Sequence, residues 1–264
     1  MHKLRILLCT LIMMLCCSLA MAAGYKAGTY SLEEGSVDIE LVNIEHSPGG
    51  RAADDRMNLD VSYNALMQLY KVLPQSDADY ASAREDYDRV FTGADAVKES
   101  RELLEDAAGF AAYLLRRDAL AMEAVRGSYV DFTLSSRPIV HFKGENILSI
   151  EQQGYIFTGG AHGISFIQTM NYDPKTGRAI MLKDLFVPGS GYLRRLDKAV
   201  NGQAALMGLH APVEVKGDDK FFISSNGDLV LVYASGEAAY YAAGRLAFAV
   251  PAETLADILA VEIK

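Results

Sequence analysis

Tryptophan is absent from these 264 residues, and cysteine is confined to Cys9, Cys16 and Cys17. The segment that holds them is also the one long apolar run. His2, Lys3 and Arg5 form a basic start, Ile6 to Leu19 an apolar middle, and Ala20-Met21-Ala22 a small-x-small end. That is the layout of a secretory signal peptide over residues 1–22, and the run is short for a membrane span, which needs about 20 residues. Met14 and Leu15 stand where a lipoprotein leader needs small residues before its cysteine, which argues against a lipid anchor. Cleavage after Ala22 removes every cysteine. The exported chain then has no disulfide, and its remaining 242 residues (264 less 22) must be held by core packing alone. The expected location is periplasmic or secreted.

An excess of basic charge is missing as well. Lys3 and Arg5 leave with the leader, so 25 Lys and Arg become 23 against 34 Asp and Glu, a net charge of −11. Such a surface disfavours nucleic acid and anionic lipid as partners; it suits solubility and, more weakly, a basic protein partner.

Several chemical signatures are absent too. His46, His141, His162 and His210 remain after cleavage, with no H-x-x-H or H-E-x-x-H spacing and no cysteine to complete a metal site. Asp218-Asp219 and Asn226-Gly227-Asp228 read as turns, lacking the regular oxygen ligands of a calcium loop. No G-x-S-x-G elbow is present, and Gly159-Gly160 has neither the Lys-Ser/Thr nor the helix of a phosphate loop. No metal and no cofactor are expected.

What the chain does contain is a change of texture near Gly127. Before it, Val37, Ile39 and Leu41 alternate with Asp38 and Glu40 as in a half-buried strand, and Ser47-Pro48-Gly49-Gly50 is a loop. Apolar steps of three and four predict a helix over Leu59–Leu73 stopped by Pro74, a short charged helix over Ser82–Val90, and a long one over Ala94–Arg126. After Gly127 the pattern is mainly β: strands over Tyr129–Leu134, Pro138–Phe142, Ile147–Phe157 and Ile164–Tyr172. The turn Asp173–Gly177 then leads to a return strand over Arg178–Leu182 and a helical turn at Lys183–Phe186. A helix is predicted over Tyr192–Met207, a tight hairpin around Asn226-Gly227, a strand at Leu246–Val250 and a helix over Ala252–Leu259 behind Pro251. The fold class is α+β, an antiparallel sheet packed by the Ala94–Arg126 and Tyr192–Met207 helices. The early strand is expected to join the later sheet, giving one interlocked unit with halves 23–127 and 128–264.

The stretch Tyr155-Ile156-Phe157-Thr158-Gly159-Gly160-Ala161-His162-Gly163 carries most of the functional interest. Strand residues run into three glycines and resume after them, which predicts a sharp bend bearing an imidazole. Tyrosines near such a bend can stack on sugars or anchor a protein, although most are expected to fill the core and bond outward through the hydroxyl; Tyr240-Tyr241 falls in a loop, where function concentrates. The candidate ligand-contacting set is Tyr155, Thr158, Gly159, Gly160, His162, Tyr240 and Tyr241. The structural alternative for His162 is a ring that pins the bend by bonding a backbone carbonyl. The catalytic alternative is a small cell-wall-directed hydrolase with His162 as base, Asp184 orienting it, and Ser165 or Thr158 as nucleophile. Ser165 lies three residues from His162, so on a strand the two would face opposite ways.

Ile147-Leu148-Ser149-Ile150, the segment Tyr155 to Gly163, and Asp173-Pro174-Lys175-Thr176-Gly177-Arg178-Ala179-Ile180-Met181-Leu182-Lys183-Asp184-Leu185-Phe186 together resemble the RsiV-like family. Its pattern is "lSl", "YTGGAHG" and "D-x-x-T-G-x-x-x-x-L-x-D-L-F", and Phe221 to Gly244 is similar to its later aromatic segment. The resemblance spans roughly residues 128–260. Residues 28–127 are similar in layout to the region that accompanies it in the peptidoglycan deacetylase PdaC. The resemblance implies an extracytoplasmic α+β domain that recognises a lysozyme-like protein or a peptidoglycan glycan. With only a leader before the domain and nothing after residue 264, neither sigma-factor signalling nor deacetylation is carried over.

Overall fold

The computed structural model describes residues 24–72 and 96–263. The leader and the helix expected over Ser82–Val90 lie outside the described residues, as does Pro74. Two strands open the chain, β1 (Lys26–Glu34) and β2 (Val37–Glu45), paired antiparallel. Helices α1 (Arg51–Leu69) and α2 (Ala96–Arg126) follow. Next come β3 (Thr133–Lys143), β4 (Leu148–Phe157), β5 (Ile164–Asp173) and the two-residue β6 (Arg178–Ala179). These six strands form one sheet in chain order. Its neighbours are antiparallel except β2 and β3, which pair in parallel because α1 and α2 carry the chain across between them. The early strands therefore do join the later sheet.

A second sheet was not foreseen. β7 (Phe221–Ile223), β8 (Leu229–Tyr233) and β9 (Leu246–Val250) form it, with the hairpin at Asn226-Gly227 as expected. The layers run α1 with α2, large sheet, small sheet, then α3 (Tyr192–Leu206). The helix at Tyr192 thus packs the small sheet rather than the large one. Its Leu196, Val200 and Ala204 meet the side of the small sheet that carries Leu246 and Phe248. Phe222, Val230 and Val232 point the other way, toward Ile167 of β5. β8 is therefore buried on both faces, which is why Leu229-Val230-Leu231-Val232 shows no alternation.

Other boundaries moved for physical reasons. α1 begins at Arg51, well before Leu59, because its buried stripe is Ala53, Met57, Val61 and Ala65; small and polar neighbours such as Asp54 and Asp55 mask it. Asp54 also accepts the His46 and Ser47 amides (2.9 and 3.0 Å), closing the turn before the helix. The strands expected on either side of Pro138 are one strand. β2 pairs with β3 only over Leu134–Ser136, so from Pro138 onward that side has no ladder needing an N–H. The return strand shrinks to Arg178–Ala179, and the helix expected over Ala252–Leu259 is a single 3-10 turn at Ala252–Thr254. Leu259 instead bridges to Phe186. The helical turn before Phe186 is present as a 3-10 turn over Leu182–Leu185.

Between α1 and the large sheet runs a buried polar chain. Gln68 donates to Gln168 (2.7 Å) and accepts from the Ser136 hydroxyl (2.7 Å), which in turn accepts from Gln152 (2.8 Å). Gln68, Ser136 and Gln152 are all buried. Gln68→Leu removes the partner of two inward groups, so a loss on the order of 1–3 kcal/mol is expected in urea denaturation with the fold retained. An unchanged midpoint would show that this chain does not hold α1 in place.

Candidate binding site

On the large sheet, successive residues of a strand alternate between the helix side and the small-sheet side. The register places three rows on the small-sheet side: Ser135, Tyr155 and Ser165; then Arg137, Gln153 and Ile167; then Ile139, Glu151 and Thr169. The small sheet covers Ile167 of the second row, Glu151 and Thr169 of the third, and what lies beyond them, while Ile139 stays exposed. Phe222 of β7 stacks on His141 with ring centroids 3.6 Å apart, and the Ile223 amide donates to Ser149 (3.0 Å). Ser135, Tyr155 and Ser165 of the first row, with Arg137 and Gln153 of the second, stay open. They floor a cleft of about 420 Å³, walled on the small-sheet side by Ala234, Ser235 and Arg245.

The six residues between β4 and β5, 158–163, form the bend at one end of this cleft. Two tyrosines clasp it. The Gly163 N–H donates to the Tyr155 hydroxyl (3.0 Å), and the Tyr241 hydroxyl donates to the Gly163 carbonyl (3.0 Å). A side chain at Gly163 would meet the Tyr155 ring at 2.3 Å and the Ile156 carbonyl at 2.5 Å, so the clasp requires glycine. His162 stacks on Tyr241 with centroids 4.9 Å apart, its Nδ1 3.0 Å from the Gly163 carbonyl oxygen. Tyr241 is thus brought to Tyr155 and His162 from 78 residues beyond Gly163.

The other expected contact residues separate. Tyr240 is exposed beside Tyr241, and Thr158 and Gly160 are exposed on the bend. Gly159 turns inward instead: it is buried, with φ of 81°, against Phe132 and Met122 of the α2 end. Arg126 donates to its carbonyl (2.9 Å). Its role is to join the bend to α2, so it is no contact residue. Asp184 lies past the far end of β5, about 30 Å of strand away from the bend, where it accepts the Met181 amide (2.9 Å). The His162–Asp184 pair of the catalytic alternative is not formed.

A second cluster was not singled out from the sequence. Glu151 has no exposed surface, yet its carboxylate bonds His141 Nε2 (2.7 Å) and Gln153 (3.1 Å) and takes Arg245 through both Nε and Nη2 (2.9–3.1 Å). A bulge between Val140 and Phe142 aims His141 at it. Burial alone would raise the Glu151 carboxyl; bonds from His141 and Arg245, the Arg245 charge and a bond from Gln153 outweigh it and hold the carboxyl below its ordinary value. Among the described residues no group of three or more His, Cys, Asp or Glu is arranged to hold a metal ion, and no helix is long and apolar enough to cross a membrane.

With this geometry in view, likeness to solved structures decides the fold. A DUF3298 family protein from Pseudomonas aeruginosa PAO1 matches with a TM-score of 0.51 at 17% identity, covering 89% of this chain and 92% of that one. A DUF3298 member from Bacteroides fragilis NCTC 9343 matches with a TM-score of 0.55 at 15% identity, over the same shares. The chain has the DUF3298 fold. At these identities the likeness extends to architecture, not to the side chains of the cleft. No family model matches the sequence, and a search of curated proteins finds no relative. The DUF3298 structures nonetheless agree with the α+β class read from the sequence.

Proposed function

We propose that this chain is an exported, non-catalytic binding module of the cell envelope whose cleft takes a peptidoglycan glycan. The observation that carries the reading is the uncovered part of the sheet, Ser135, Tyr155 and Ser165 with Arg137 and Gln153 beside them, ending at a bend clasped by Tyr155 and Tyr241. A sugar is bound by aromatic faces together with planar and hydroxyl hydrogen-bonding groups. The cleft supplies Tyr155, Gln153, Arg245, Ser135, Ser165 and Ser235, with Tyr241 near its end. The signal-peptide layout of residues 1–22 and the RsiV-like resemblance of residues 128–260 support the envelope setting. Export to the periplasm or medium is part of the proposal.

A second reading, a basic lysozyme-like protein as partner, is favoured by the net charge of −11 on the leaderless chain, through electrostatic steering. Its contact would be rim charge and would weaken steeply with salt, whereas glycan binding in the cleft would change little. The hydrolase alternative loses its main support, because Asp184 caps a distant turn.

Calorimetric titration of the leaderless chain with peptidoglycan glycan fragments, and separately with a basic lysozyme at low and high salt, tests both readings. Glycan binding that is far less salt-dependent than binding of the basic protein, and weakened about tenfold by Tyr241→Ala, is the expected result. Absence of glycan binding overturns the primary reading; binding only to the basic protein, lost with salt, establishes the second.

A further inference from the structure

Resting on the glycan reading above, the geometry points to a finer specificity: the cleft selects a glycan bearing a free carboxylate, and Arg245 is the residue that reads it. Two arginines line the cleft, and they are not equivalent. Arg137 is tied mainly to β2. Its Nη1 donates to the carbonyls of Asp38 (3.1 Å) and Ser136 (2.9 Å), its Nη2 pairs with the Asp38 carboxylate, and its Nε lies 3.5 Å from Glu40. One Nη2 N–H remains, but the same guanidinium already holds two acids of β2, Asp38 and Glu40, at that wall, and their charge opposes a ligand carboxylate there.

Arg245 is arranged differently. Its Nε and Nη2 are taken by Glu151, and its Nη1 has no partner among the described residues. Its side chain keeps 38% of its surface exposed while the partner carboxylate has none. The buried acid is itself fixed by His141 and Gln153, and His141 is clamped by the Phe222 ring. A guanidinium anchored along one edge presents its remaining donors in a set direction, without the ordering cost of a free arginine. Planar, charged donors of this kind suit a carboxylate. The surrounding hydroxyls of Ser135, Ser165 and Ser235 make no hydrogen bond among the described residues and suit the ring hydroxyls of the same sugar.

In this arrangement Glu151 and His141 are positioning residues, and Arg245 touches the ligand. A peptide-free glycan carrying a lactyl-ether acid, such as the N-acetylglucosaminyl–N-acetylmuramic acid disaccharide, offers a carboxylate next to ring hydroxyls. Its methyl ester removes that charge and adds one methyl group.

The test is a calorimetric titration of the leaderless chain with this disaccharide and with its methyl ester. The acid is expected to bind about tenfold more tightly than the ester, the contribution of one charge-assisted hydrogen bond. Arg245→Lys keeps the charge but loses the anchored planar fork, and should bring the acid-to-ester ratio toward one. The double variant Glu151→Gln with Arg245→Gln leaves no unpaired buried charge; it should fold and show the same loss of preference. Equal affinity for acid and ester in the native chain overturns this inference while leaving the glycan reading intact. Binding of neither overturns the glycan reading and this one with it. A preference that survives in both variants assigns the carboxylate to some other residue and overturns the role of Arg245.

Discussion

Glu151→Ala is expected to lower the unfolding free energy by about 3 kcal/mol, the low end of the range for removing one partner of a buried ion pair. The low end applies because the Arg245 and His141 side chains reach solvent and can rehydrate, at 38% and 21% exposure. What cannot rehydrate is the space between the sheets, where Phe222 lies on the His141 ring. Glu151→Gln preserves the shape and should lose less. The acid limb separates the charge from the shape. The folded state holds the Glu151 proton less tightly than the unfolded chain does, since His141 and Arg245 stabilise the carboxylate more than burial opposes it. The resulting stability is present above the ordinary value of 4.5 and drains away as pH falls through the depressed one. Urea midpoints measured down through that window should fall for the native chain, and Glu151→Gln should flatten this part of the slope. Parallel slopes would mean that the buried carboxylate is not ionised in the fold.

How much of this could be read beforehand depends on the distance over which each feature is encoded. The bend at 158–163, the Asn226-Gly227 hairpin, the Asp173–Gly177 turn and the Tyr192 helix are local, and glycine positions or a 3.6-residue period announce them. The meeting of Tyr155, His162 and Tyr241 was legible only as a set of suspects; 78 residues separate Tyr241 from the Gly163 it bonds. Glu151 and Arg245 are 94 residues apart and passed unnoticed. A signal existed: an acid between Ile150 and Gln152 in an otherwise inward strand, and an arginine directly after the Tyr240–Gly244 loop. An isolated buried acid needs a partner, but nothing local says which of 23 cations supplies it. The second sheet was hidden for a related reason. β8 is apolar on both faces, so its sequence carries no record of which side meets the large sheet and which meets α3. Asp184 misled in the opposite direction, because a motif close in sequence to β5 stands at the wrong end of that strand.

The two adjacent glycines of the bend should respond very differently to the same change. Gly159 has φ of 81°, and a Cβ there would lie 2.5 Å from the Phe132 ring and 2.7 Å from the Met122 sulfur. Alanine would carry left-handed backbone strain of about 1–2 kcal/mol. It would also force Phe132 and Met122 apart, an overpacking cost of about 1–3 kcal/mol. A combined loss on the order of 2–5 kcal/mol is expected for Gly159→Ala, with the end of α2 loosened because Arg126 bonds the same residue's carbonyl. At Gly160 the backbone is not left-handed and a Cβ finds nothing nearer than the His162 carbonyl at 3.5 Å. Gly160→Ala should therefore stay within about 0.5 kcal/mol of the native chain. If the first glycine serves packing and the second only faces solvent, thermal melting separates the two alanine variants. Equal melting temperatures for the two alanine variants would show that the bend is not seated on α2, and the alignment of the cleft with its clasp would then need another cause.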